Sequence, residues 1–109
     1  MNLEQAKANL VAFLGNRELT FSIKHFPDGE WIAECIEIPA IMTGGKEDDI
    51  TNVDSMIRDA ILTAAGIDQE FSNQILKFKG YRELKPNPIA NLFSSQETGE
   101  KAEADYVLA

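Results

Sequence analysis

Read as alternating apolar and polar positions, the chain changes period three times. In "NLEQAKANLVAFLGN" the residues Leu3, Ala6, Leu10 and Leu14 recur at helical spacing, with Phe13 beside them. Asn2 can cap this helix, Gln5 stands where a capping box wants it, and Gly15-Asn16 stops it. "ELTFSIKHF" then switches to period two. Leu19, Phe21 and Ile23 alternate with Thr20, Ser22 and Lys24, as in a strand with one buried face. "PDGE" is a turn and "WIAECIEI" the return strand, so the spacing predicts a β-hairpin over Glu18 to Ile38. The return arm is apolar on both faces: Trp31, Ala33 and Cys35 on one, Ile32, Ile36 and Ile38 on the other. Such a strand needs cover on both sides, from the first helix or from a second subunit.

Pro39 ends the ladder because it lacks an N–H, and "IMTGG" reads as a short third strand or loop ending in a glycine turn. "DDITNVDSMIRDAILTAAGI" is the best-marked helix. Asp48, Asp49 or Thr51 can cap it, Gly66 can end it, and Ile50, Val53, Ile57, Ile61 and Ala64 form its stripe. "DQEFSNQILKFKGY" reads as a second, shorter helix with Phe71, Ile75 and Phe78 on one side. Beyond "KPNP" the periodicity is lost, and "SSQETGEKAEA" has the composition of a flexible tail. The expectation is an α+β fold. A small antiparallel sheet, the hairpin plus a short third strand, carries packed helices; residues 1–85 form one domain and residues 86–109 a tail.

Composition narrows the partners. The chain has 109 residues and 44% hydrophobic content, enough for one core. Its formal net charge of -8 argues against direct nucleic-acid binding and for a basic protein partner. One cysteine allows no internal disulfide. No apolar run nears the roughly 20 residues of a membrane helix, and "MNLEQAKANL" lacks a leader pattern, so the expected compartment is the cytoplasm.

Candidate chemistry is thin. His25, the single histidine, is expected at the edge of the core near Asp28 or Glu30. Cys35, with acidic neighbours, reads as a packed small hydrophobe. Asp28, Glu30, Glu34, Glu37, Glu47, Asp48, Asp49 and Asp54 could in principle hold a divalent cation, but the first strand offers no converging carboxylate. No cofactor or metal is expected, and no enzyme. "TGG" is followed by Glu47, Asp48 and Asp49, which would repel a phosphate. Lys77, Lys79, Arg82 and Lys85, with Phe78 and Tyr81 between them, are the basic cluster, short and interrupted by Glu83.

Turn, alternating strand, "IPAIMTGG" and acidic-start helix together resemble the N-terminal domain of the HicB antitoxin family. Gly29, Trp31, Ala33, Pro39, Thr43 and Gly45 fall in step with that pattern, and the likeness covers about Thr20 to Ala65. Ala40 stands where the family usually has glycine, about two extra residues precede the helix, the N-terminal helix is an addition, and nothing after Gly80 matches the family's DNA-binding module. The resemblance implies a degraded ribonuclease-H-like fold without nuclease carboxylates. It also implies a non-enzymatic role: covering the active site of a small basic RNA-cleaving toxin. The acidic residues expected to meet such a partner are Asp28, Glu30, Glu47, Asp48 and Asp49. A homodimer is expected, joined through the sheet or its edge with the first helix involved. The rival from another class is an acidic inhibitor or nucleic-acid mimic of phage type acting on a host nuclease; a metal-dependent nuclease ranks below both.

Overall fold

The computed structural model describes residues 1–84 and 100–109. Three helices and a five-stranded antiparallel sheet make an α+β fold: α1 (Leu3–Leu14), β1 (Leu19–His25), β2 (Trp31–Cys35), β3 (Met42–Gly45), α2 (Ile50–Ala65), α3 (Ser72–Ile75, entered through a 3-10 turn), β4 (Leu76–Leu84) and β5 (Glu100–Leu108). The strand order is β3-β2-β1-β5-β4.

The local signals act as expected at the helix ends. The Asn2 side chain accepts the Gln5 N–H at 2.9 Å, and the Asn2 N–H donates to Gln5 Oε1 at 3.0 Å, completing the capping box. Asp49 caps α2 by accepting the Asn52 N–H at 3.1 Å, and Gly66 ends it in the left-handed region. α1 buries all of its expected stripe but the first residue, and α2 only the middle of its own. Ala6, Leu10 and Leu14 are inside on α1, while Leu3 is exposed. On α2 the buried set is Val53, Ile57, Ile61 and Leu62; Ile50 and Ala64 lie outside.

The hairpin forms with Phe21 opposite Cys35, Ile23 opposite Ala33 and His25 opposite Trp31. Gly29 takes φ 92° in the turn, where a side chain would be strained. The return strand stops at Cys35, before Ile38. Ile36 still donates to the Thr20 carbonyl, but the Glu37 carboxylate then takes the Thr20 N–H and the chain curls through Pro39 into a turn closed by Ile41 N–H on the Ile38 carbonyl.

Three expectations are corrected. The stretch read as one helix up to Tyr81 is helical only to Ile75, and Leu76–Leu84 is strand β4. Phe71, Ile75 and Phe78 do recur at helical spacing, but Leu76 and Phe78 also alternate with Lys77 and Lys79, and sheet pairing selects the second pattern. The segment read as the end of a tail is β5, the strand between β1 and β4, so the domain does not close at residue 85. Ala102, Ala104 and Tyr106 point into the core, while Lys101, Glu103 and Asp105 alternate with them. The rest of the expected tail, residues 86–99, lies outside the described residues. Lastly, β2 is covered on one face only. Trp31, Ala33 and Cys35 are buried with the helices, but α1 packs against α2 and α3 in that same core and leaves Ile32 and Ile36 exposed.

A polar knot ties α2 to both C-terminal strands. Arg58 donates to the Asp54 carboxylate at 3.0 Å and to the Leu76 carbonyl at 2.8 Å, where α3 becomes β4. The Tyr106 hydroxyl donates to the same carboxylate at 2.7 Å. Burial, then the hydrogen bond to the Asp54 carboxylate, push the Tyr106 phenol well above its ordinary range, so it stays a donor. The i,i+4 spacing of Asp54 and Arg58 marks that pair on a helix, but nothing in the local sequence marks Tyr106 as its partner.

Candidate interaction surface

Two loops meet at one end of the sheet. The β1–β2 turn lies against the β3–α2 loop so closely that a Cβ on Gly29 would stand 3.3 Å from the Lys46 carbonyl oxygen. Trp31 pins the second loop, its indole N–H donating to the Glu47 carbonyl at 2.8 Å, and the Asn52 side chain donates to the same oxygen at 2.7 Å. The five expected partner-binding acids are thereby gathered at that end, each with its own local setting. Asp28 accepts the Glu30 N–H at 3.0 Å and shapes the turn; Asp48 faces His25; Asp49 is the helix cap. The side chains of Glu47, Asp48 and Asp49 remain exposed.

The glycines of "TGG" lie within strand β3, which corrects their reading as a turn pair. A Cβ on Gly44 would fall 2.6 Å from the Trp31 carbonyl oxygen, and one on Gly45 would fall 3.0 Å from the indole nitrogen. Glycine is required because β3 runs this close to Trp31. Of the other family-pattern positions, Trp31 and Ala33 are core, Pro39 shapes the β2–β3 turn and Thr43 sits in β3.

His25 is not beside Asp28 or Glu30 as expected. Its Nδ1 is 3.4 Å from the Asp48 carboxylate and its Nε2 is 2.9 Å from the Tyr81 hydroxyl, in a hollow of about 150 Å³ shared with Glu83 and Lys101. A histidine between a carboxylate and a phenol joins three elements. Among the described residues no serine or cysteine lines the hollow. Cys35 is buried and its thiol is pushed up, first by burial, which makes it a poor nucleophile. Among the described residues no three His, Cys, Asp or Glu side chains are placed to hold a metal ion.

The basic cluster is largely spent on neighbours. Lys79 pairs with Glu18 at 3.0 Å, and Arg82 pairs with Glu103 and Asp105 across the strand. The Arg82 hydrogen bond holds the Asp105 carboxyl below the usual carboxylate range. Lys85 lies outside the described residues.

What remains unsatisfied is apolar. Ile32, Ile36 and Met42 are 50%, 55% and 59% exposed. Ile32 pairs with Gly44 and Met42 with Glu34, so Ile32 and Met42 are diagonal neighbours on the open face of the sheet. The two-sided apolarity of "WIAECIEI" was the signal for this face; the acidic end beside it is assembled by the fold. No helix among the described residues is long and apolar enough to cross a membrane. No protein-family model, curated protein or solved structure matches this chain.

Proposed function

We propose that this protein is a non-enzymatic, HicB-like binding domain of the cytoplasm that neutralises a small basic RNA-cleaving toxin by covering its active site. The observation that carries the reading is the gathering of Asp28, Glu30, Glu47, Asp48 and Asp49 at the end of the sheet where the exposed Ile32 stands, with Met42 and Ile36 exposed toward the other end of the same strands. A partner surface rich in lysine and arginine supplies the opposite charge to the first set, and its apolar residues can dry the second. The direct test is rescue. Co-production of this chain should restore growth to cells making a small basic ribonuclease from an adjacent reading frame, and should suppress its RNA cleavage in vitro. Failure of both rejects the antitoxin reading.

Charge reversal gives a graded test. Glu47, Asp48 and Asp49 changed together to lysine should slow association with that ribonuclease by about tenfold or more at low salt, with the difference shrinking as salt rises. The variant must first prove folded by circular dichroism, since losing the Asp49 cap alone costs about 0.5–2 kcal/mol. An unchanged rate across the salt series assigns these acids to the solvated rim. The open face also bears on self-association. A homodimer that covers Ile32 and Met42 is the expected species in equilibrium sedimentation, and a monomer at high micromolar concentration would count against it.

A further inference from the structure

The two edges of the sheet are built differently. Edge strand β4 carries Lys77, Lys79, Arg82 and Glu83 and is bent by a bulge between Phe78 and Gly80. These are the devices by which proteins keep an edge from accepting another strand. Edge strand β3 has none of them: its residues are Met42, Thr43, Gly44 and Gly45, without charge, proline or bulge. The Ile41 carbonyl accepts the Cys35 N–H at 2.9 Å, so by antiparallel alternation Thr43 also turns its backbone groups to β2. Met42 and Gly44 then present their N–H and C=O groups to the outer edge. Beside that edge runs a groove of about 440 Å³ between β3 and α2, lined by Ile41, Thr43, Met56, Ala60 and Ala64, with Asp59 on its rim. A strand laid on β3 would send alternate side chains into the groove and the others over the open face beside Met42.

We infer that the groove between β3 and α2 receives an extended cationic segment of a partner protein, which joins the sheet as a strand added to β3. The inference rests on the reading of this chain as a binding domain for a basic protein, and it names the site and mode. Charge selects the occupant. Asp59 lies along the groove, and β3 leads directly into Glu47, Asp48 and Asp49, against Lys46 in the loop; Lys24 and Lys101 lie across the open face, away from the groove. A second copy paired at this edge would add a further set of the same acids and no complementary charge, so the edge itself favours a cationic strand over self-pairing. Main-chain hydrogen bonds supply affinity in such a mode, and the pockets on either side of the strand supply selectivity.

The test uses the full chain and a synthetic peptide of about eight residues alternating valine and lysine, a usual strand length. Two analogues accompany it: one with glutamate for lysine, one with alternate amides N-methylated. The lysine peptide should slow hydrogen exchange at the Met42 and Gly44 amides. Both analogues should bind at least about tenfold more weakly, as should the lysine peptide to Ala64→Arg, whose exposed site leaves melting unchanged. Asp59→Lys is the second variant, expected to weaken binding in the same sense. Equal binding of the lysine and glutamate peptides, or unchanged exchange at Met42 and Gly44, overturns the proposal. So does a result in which both variants keep the peptide but dissociate a homodimer, since the groove would then belong to a second copy. The two readings fail separately. A toxin neutralised equally by wild type and Ala64→Arg rejects the groove and leaves the antitoxin reading intact. A peptide that docks as described on a chain that inhibits no ribonuclease does the reverse.

Discussion

A chain ending at residue 99 should not fold. Its lost segment is β5, which pairs with β1 from Leu19 opposite Tyr106 to His25 opposite Glu100, and with β4 from Leu76 opposite Leu108 to Leu84 opposite Lys101. Without it β1 has no neighbour on that side, and β4 has none at all among the described residues. Three core residues leave as well. The Tyr106 ring packs at 6.0 Å from Phe21 and 5.4 Å from Phe78, centroid to centroid. Its hydroxyl leaves the Asp54 carboxylate with Arg58 alone. Burying one large side chain stabilises by about 1.5–3 kcal/mol, and the strand pairing comes on top of that. A domain of this size has about 5–15 kcal/mol in all. Far-UV circular dichroism and thermal melting decide it: the truncated chain should show no cooperative transition. A cooperative melt near that of the full chain would mean that β5 is dispensable.

Trp31→Ala should cost about 3–5 kcal/mol, the usual range for removing a buried aromatic ring. Trp31 is 1% exposed and among the largest fully buried side chains. Its loss opens a cavity between β2 and the helices. It also removes the donor that holds the Glu47 carbonyl, and with it the anchor of the acidic β3–α2 loop. For about 100 residues each kcal/mol shifts melting by about 4–8 °C, so the midpoint should fall by roughly 15 °C or more. Trp31→Phe separates the two effects. It keeps most of the ring but not the N–H, and should cost about 1 kcal/mol for the hydrogen bond beyond its packing loss. If Trp31→Ala instead melts like the wild type yet loses its partner, the tryptophan is a binding residue and its placement in the core is wrong.

The elements of the first 66 residues, though not the ends of β2, the role of Gly44 and Gly45 or the neighbours of His25, were legible as sequence because their signals are local. A cap at Asn2, a turn at Gly29, a cap at Asp49 and a stop at Gly66 act within four residues of themselves, and the periods between them are unambiguous. Ile32 was visible as a second apolar face, but the cover expected for it is absent among the described residues of this chain's own fold. The last third was misread for a physical reason. "QILKFKGY" satisfies a helical period and a strand period together, and only pairing with β5 decides between them. "EKAEADYVL" buries two alanines and a tyrosine, and small residues look like linker until Phe21 and Ile23 on β1 pair beside them. Both are non-local contacts that no window along the chain contains. The same holds for the surface. Residue types alone marked the acids as partner candidates. Their assembly at one end, the Asp48–His25–Tyr81 contacts and the unguarded edge of β3 arise only when the hairpin turn meets the β3–α2 loop and the sheet takes its order.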